Sequence, residues 1–130
     1  MRVIAALSLA FLLAAHGSQE ATAQAASGAE DAATRANRTA YEASLKCFVA
    51  GGIAVGDAQK VHDPAKEAYF NAKARLAFDT GVKLGRKLGL ANGHINEDFA
   101  LVQARELPNM IADTDYYKNA VAYCKALGLM

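Results

Sequence analysis

The chain has 130 residues, of which 53% are apolar and 21% are charged, and its formal net charge is +1. One domain is expected at this length, because two independent hydrophobic cores need a longer chain. A charge this close to neutral gives no global electrostatic case for binding nucleic acid, which usually needs a strongly basic domain. The apolar fraction overstates the core, since alanine supplies 30 of the residues and a further apolar block lies near the beginning of the chain.

Residues 1–23 have the layout of a cleaved secretory signal peptide. A short basic start is followed by an apolar run over 3–15, and Ala-Thr-Ala at 21–23 offers the small residues that a signal peptidase recognises. The run has 13 residues, whereas a helix that spans a bilayer takes about 20. We expect cleavage after Ala23, with the overlapping box at 23–25 as the alternative, and export to a periplasm or to the cell exterior.

Cys47 and Cys124 are the only cysteines of the chain. An even number of cysteines in an oxidising compartment favours a disulfide. Closing a ring of this length stabilises a fold by about 4.5 kcal/mol in the chain-entropy model. An intermolecular bridge and a reactive thiol are the alternatives, but there is no C-x-x-C motif, and two thiols 77 positions apart do not activate each other locally.

The remaining chain is predicted to be all-α, a small bundle of about four helices over 37–130 with the disulfide joining the first and last helices. Residues 24–36 are rich in alanine and carry no large apolar side chain, so we expect a flexible lead-in. The first helix is expected over 37–50, where a helical stripe is formed by Tyr41, Ser44, Leu45, Cys47 and Phe48. Gly51-Gly52 is expected to weaken or end it, and 51–62 is left open between a short helix and a loop.

Asp63-Pro64 predicts the start of a long helix, because aspartate is a good N-cap and proline suits the first helical position. The pattern continues to residue 88, and Gly89 is the expected stop. We expect Tyr69, Ala72, Leu76, Leu84 and Leu88 to mark its buried side. Gly81 and Gly85 share a face, which indicates either a break or the close approach of another helix. We favour close approach.

Two further helices are predicted. Asn96 is expected to cap a helix over 97–107 that Pro108 ends or kinks. One face of this helix is marked by Phe99, Val102 and Glu106, and the alternative face by Leu101 and Arg105. Asp113 or Thr114 is expected to cap the last helix, which runs to residue 127 with Gly128 as its stop. The buried stripe of the last helix is expected to comprise Tyr117, Ala120, Val121, Cys124 and Leu127.

No motif predicts a catalytic residue, a metal ligand or a cofactor site. His62 precedes the N-cap of the long helix, and His94 lies near Glu97 and Asp98, but zinc needs three or four converging ligands. Nucleophile, phosphate-loop and dinucleotide motifs are absent from the sequence. An enzyme is therefore the least favoured class.

A candidate interaction surface is formed by Lys83, Arg86, Lys87 and Tyr116. The three basic residues concentrate positive charge on the long helix, which suits an acidic partner or an anionic surface, although a solvated face with an Arg75–Asp79–Lys83 ion-pair ladder is the simpler interpretation. Adjacent tyrosines at 116 and 117 point to different sides of a helix, so one of them is expected to be exposed.

Two functions from different classes follow. The first is a non-enzymatic module that binds another exported protein, as an inhibitor, immunity factor or chaperone does. The second is a carrier of a small ligand or metal, using a pocket between helices near His62 or His94. The general build is similar to that of periplasmic acid-stress chaperones and of small immunity or inhibitor proteins, but no motif is shared, so no functional residue is transferred. After cleavage the protein is not expected to span a membrane, and neither a cofactor nor nucleic acid is expected as a ligand.

Overall fold

A computed structural model describes residues 30–130, which fold into four α-helices without a strand in that part of the chain. The helices are α1 (Ala32–Lys60), α2 (Pro64–Lys87), α3 (Asn92–Ala112) and α4 (Thr114–Ala126). The predicted all-α bundle is therefore confirmed. The predicted signal peptide at 1–23 and residues 24–29 of the predicted lead-in lie outside the described residues.

The disulfide joins α1 to α4, as predicted, and lies in the middle of the core. The Cα atoms of Cys47 and Cys124 are 5.6 Å apart, and neither residue is exposed to solvent. Around the bridge the core is built largely from small side chains, among them Ala50, Ala54 and Ala77. Each of these buries little area, so the covalent link supplies stability that a core of larger side chains would obtain from burial.

The first helix is longer than predicted at both ends. It begins at Ala32 rather than Asn37, and it continues through Gly51-Gly52 to Lys60. Of the two outcomes expected at the glycine pair, an end of the helix is wrong, and 51–60 is helix rather than loop, because Gly51 lies against α2. A Cβ at Gly51 would be 3.0 Å from the Cβ of Ala74, so the absence of a side chain lets the two helices approach closely.

The second helix begins as predicted. The Asp63 carboxylate accepts a hydrogen bond from the Lys66 backbone N–H at 3.0 Å, and this bond lowers the pKa of Asp63. Pro64 occupies the first turn, and Gly89 ends the helix region with φ at 78°. Glycine adopts this left-handed backbone without the steric penalty that other residues incur.

The buried face of α2 differs from the predicted one. Tyr69 and Leu76 are 52% and 44% exposed, while the buried positions are Ala74, Ala77, Gly81 and Gly85. Ala72 is also exposed, whereas Leu84 and Leu88 are partly buried against the core, so the prediction is wrong in the first half of the helix and holds near its end.

Close packing at Gly81 and Gly85 is confirmed. A Cβ on Gly81 would lie 2.8 Å from the ring of Phe99, and one on Gly85 would lie 2.8 Å from the side chain of Ile95 and 3.0 Å from the ring of Tyr41. These two glycines therefore let side chains of α1 and α3 pack directly on the α2 backbone.

Three phenylalanines link the first three helices. The ring centroids of Phe48 and Phe99 are 5.3 Å apart in an edge-to-face arrangement, and Phe78 lies 5.8 Å from Phe48 and 4.8 Å from Phe99. Such pairs add about 0.5–1.5 kcal/mol each beyond the burial of their area. Phe99 belongs to a second core cluster with Tyr41, Leu45 and Ile95, and Phe48 and Phe78 pack against that cluster.

The bounds predicted for the third helix are wrong. It begins at Asn92, with Ala91 as an N-cap that makes no side-chain bond, and it passes through Pro108 to Ala112. Tertiary packing explains both differences. Ile95 in the first turn is 1% exposed, and Met110, beyond the proline, is 3% exposed. Their burial stabilises the helix at both ends, where the local sequence alone predicts a later start and an earlier end.

The fourth helix begins at the predicted cap, where the Asp113 carboxylate accepts from the backbone N–H groups of Asp115 and Tyr116, both at 3.0 Å. Leu127 is 47% exposed, so its predicted burial is wrong. Gly128, with φ at 74°, turns the chain so that Leu129 and Met130 are buried instead.

Within 30–130, no helix is both long enough and apolar enough to cross a membrane.

The glycines provide a matched test of this packing. Gly85→Ala is expected to lower the free energy of unfolding by about 1–3 kcal/mol, because the methyl group meets Ile95 and Tyr41. Gly52→Ala is expected to raise it by about 0.5–1 kcal/mol, because no atom lies within 4 Å of the new methyl group. Urea unfolding followed by far-UV circular dichroism measures both. Shifts of the same sign would contradict the packing.

Candidate docking groove

An open groove runs between the C-terminal half of α1, the end of α3 and the start of α4. Its volume is about 730 Å³. Apolar side chains dominate its walls, with Phe48 and Ile53 on α1 facing Leu107 and Ile111 on α3. We call this feature the docking groove.

Two glycines of α1 keep the docking groove open. Gly52 and Gly56 lie four residues apart on one face of the helix and both line the groove. No atom lies within 4 Å of the Cβ that either position would carry. Gly51 and Gly81 differ, since neighbouring residues occupy the space that their missing side chains leave. A glycine in a helix interior is about 1 kcal/mol less favourable than alanine, and nothing within the described chain uses the space at 52 and 56.

An exposed isoleucine stands at the edge of the groove. Ile111 is 69% exposed, although it lies next to the buried Met110. On the opposite side Asp57 pairs with Lys60 at 3.2 Å. Burial, and secondarily the Asp57 charge, raises the pKa of Tyr117, so its phenol stays neutral and able to donate a hydrogen bond. The groove thus combines an apolar floor with a polar margin, as protein interfaces do.

The buried side chain of Glu106 connects the three helices that form the docking groove through hydrogen bonds and ion pairs. The Tyr116 hydroxyl donates to Glu106 Oε2 at 2.6 Å, and Arg105 Nε donates to Glu106 Oε1 at 3.0 Å. Lys46 Nζ donates to the Tyr116 oxygen at 3.0 Å and lies 3.8 Å from Glu106 Oε2. Four side chains from α1, α3 and α4 therefore form one network beside the groove.

The network keeps Glu106 ionised. Burial alone would raise the pKa of this carboxyl, but the hydrogen bonds from Tyr116 and Arg105 and the charges of Lys46 and Arg105 outweigh burial and lower it. The sequence pattern had placed Glu106 on one of two possible faces of α3, with Phe99. The structure selects that face, since Glu106 and Phe99 are 5% and 6% exposed while Leu101 is 61% exposed. The position of Glu106 on the same predicted stripe as Phe99 and Val102 is the only sequence signal for the buried network.

The expectation that one of the adjacent tyrosines is exposed is wrong. Tyr116 and Tyr117 are both half-buried. The start of α4 packs between α1 and α3, so Tyr116 contacts Lys46 and Glu106 on one side while Tyr117 lines the docking groove on the other.

The three basic residues of the candidate surface are exposed and lie together on α2. Lys83, Arg86 and Lys87 line one shallow depression, which does not include Tyr116. The structure therefore separates Tyr116 from the rest of the predicted surface. The predicted Arg75–Asp79–Lys83 ladder is also not formed, since no ion pair within 4.0 Å joins these residues.

The two histidines of residues 30–130 lie in different surroundings. His62 is exposed in the turn between α1 and α2, where its backbone is left-handed with φ at 53°. His94 lines a cleft of about 460 Å³ between α1 and α3, and its Nε2 lies 3.5 Å from Asp98 Oδ2. The same oxygen accepts the Tyr41 hydroxyl at 2.7 Å, and burial together with this bond raises the pKa of Tyr41.

These polar groups do not form a metal centre. Among residues 30–130, no group of three or more His, Cys, Asp or Glu side chains converges to hold an ion. In the His94 cleft, Tyr41 and His94 both contact the carboxylate of Asp98.

Comparison with known proteins found no matching family model, no matching curated protein and no matching solved structure.

The Glu106 network predicts a specific dependence of stability on pH. Because the pKa of Glu106 in the folded chain lies below its ordinary value of 4.5, the ionised form stabilises the fold above that pH. This contribution disappears as the pH falls through the lowered pKa. Glu106→Gln is expected to lower the free energy of unfolding by about 2 kcal/mol near neutral pH and to have a progressively smaller effect as the pH falls below 4.5 and through the lowered pKa.

Urea unfolding of the parent and of Glu106→Gln across this pH range tests the prediction. Tyr116→Phe is the matched control, since it removes one donor to Glu106 and keeps the ring, and it is expected to give a smaller loss with the same direction of pH dependence. A loss for Glu106→Gln that is equal at both pH extremes would show that the carboxylate charge is irrelevant.

Proposed function

We propose that this chain is an exported, non-enzymatic protein-binding module that holds an amphipathic helix of a partner protein in the docking groove. The observation that carries the proposal is the pair Gly52 and Gly56, which leave space on α1 that the described chain does not use. The disulfide is compatible with export, because such bonds persist in oxidising compartments.

The shape of the groove favours a helix as its occupant. Its α1 wall extends from Phe48 to Lys60, which corresponds to about 18 Å of helix at 1.5 Å per residue. Missing side chains at Gly52 and Gly56 allow another helix to approach the α1 backbone, as Gly51 already does for Ala74. Apolar anchors that enter such a groove at helical spacing are a common mode of recognition.

The charged residues at the margin of the docking groove indicate which charge the partner helix carries beside its apolar face. Asp57 is already paired with Lys60. Lys118, also on the margin, is exposed, and no ion pair within 4.0 Å involves it among the described residues. An acidic residue beside the apolar face of the partner helix would meet Lys118, adding specificity more than affinity.

The groove favours this function over carriage of a small ligand. The cleft at His94 exists, as the carrier hypothesis requires, but its Tyr41 and Asp98 groups satisfy each other. The groove offers a larger apolar surface with unused space.

Filling the docking groove is expected to abolish partner binding without harming the fold. Gly52→Leu combined with Gly56→Leu places two large side chains where no atom lies within 4 Å of either Cβ. A photo-crosslinking residue at position 111 captures the partner from an export fraction of the source organism. Capture is expected to fall at least tenfold in the double variant, while the thermal midpoint stays equal or rises.

Gly93→Leu is the matched control, because Gly93 is also helical and has open space around its Cβ but lies outside the groove. It is expected to retain capture. Equal capture by the parent and the groove-filled variant would refute the proposal. A crosslinked product of two copies of this chain would show self-association in place of partner binding.

A further inference from the structure

The second helix carries a charge that the rest of the chain does not share. It holds six basic and two acidic side chains, a net charge of +4, whereas the whole chain has a net charge of +1. The remainder of the chain is therefore net acidic, and the positive charge is local to α2. Such asymmetry steers encounters with charged partners.

Three of these cations surround an apolar floor near the end of α2. Lys83, Arg86 and Lys87 are exposed, and with the half-buried Phe78 and Val82 they line a depression of about 690 Å³. We call these five residues the basic strip. None of them lines the docking groove, so an argument from the basic strip is independent of the function proposed above.

The cations of the basic strip have no acidic partner within residues 30–130. No ion pair within 4.0 Å involves any of the three, and the hydrogen bond that Arg86 donates goes to the neutral amide of Asn92 at 3.3 Å. Basic residues in a last helical turn offset the helix dipole, which accounts for Arg86 and Lys87. It does not account for Lys83, one turn earlier, or for the apolar floor between the charges.

We propose that the basic strip binds an acidic polypeptide segment that inserts one apolar side chain between its carboxylates. Phe78 and Val82 receive the apolar side chain, and the three cations meet the carboxylates. An anionic membrane surface fits less well. Membrane-binding helices present a broad, projecting apolar face, whereas Phe78 and Val82 are half-buried at the floor of a depression.

A labelled synthetic peptide tests the proposal directly. The probe is a short peptide in which glutamates flank a single phenylalanine, and its binding to the full exported chain is followed by fluorescence anisotropy. Lys83→Gln, Arg86→Gln and Lys87→Gln together are expected to weaken binding at least tenfold. The parent affinity is expected to fall with added salt, since the screening length shortens from about 10 Å at 0.1 M to about 3 Å at 1 M.

A charge-matched control separates the site from general attraction. Arg35→Gln, Arg75→Gln and Lys125→Gln remove the same three charges at exposed positions outside both the basic strip and the docking groove, and they are expected to leave binding within twofold. A probe with alanine in place of phenylalanine is expected to bind more weakly to the parent.

Two results would overturn the proposal. Equal losses in the two triple variants would show that only net charge matters. Sedimentation of the chain with phosphatidylglycerol vesicles, with no binding of the peptide, would assign the basic strip to a membrane surface. Neither result bears on the docking groove, because partner capture through Gly52 and Gly56 is measured separately.

Discussion

The bridge between Cys47 and Cys124 is the constraint on which the rest of the fold depends. It joins the first helix to the last in the centre of a core whose other members are mostly small. A domain of this size has a total stability of about 5–15 kcal/mol, and a link that closes so long a ring contributes a substantial part of it. Both cysteines are fully buried, so the bridge also occupies part of the core between α1 and α4.

Small residues have two opposite consequences in this bundle. At Gly81 and Gly85, the side chains of Phe99 and Ile95 fill the space that a glycine side chain leaves empty, so the helices are in close contact. Along the docking groove the same residue type leaves space that the described chain does not fill. The difference lies in what surrounds each glycine, and it separates residues that stabilise the fold from those that we assign to binding.

Local signals predicted the features that local chemistry controls. The carboxylate of Asp63 caps α2, and the spacing of the cysteines on two apolar stripes placed the bridge between the first and last helices. Features that depend on tertiary contacts were not predictable. α1 passes through Gly51 because α2 packs against it, and α3 passes through Pro108 because Met110 is buried. The docking groove arises only when three helices meet, and no single segment of the sequence encodes it.

Equilibrium urea unfolding of the intact and the reduced protein tests most directly whether the bridge sustains this core. Reduction is expected to lower the free energy of unfolding by about 4.5 kcal/mol, and a variant with both cysteines replaced by alanine is expected to behave like the reduced parent. Coincident unfolding curves for the oxidised and reduced chains would contradict it, since the alanine-rich core would then be stable without the bridge.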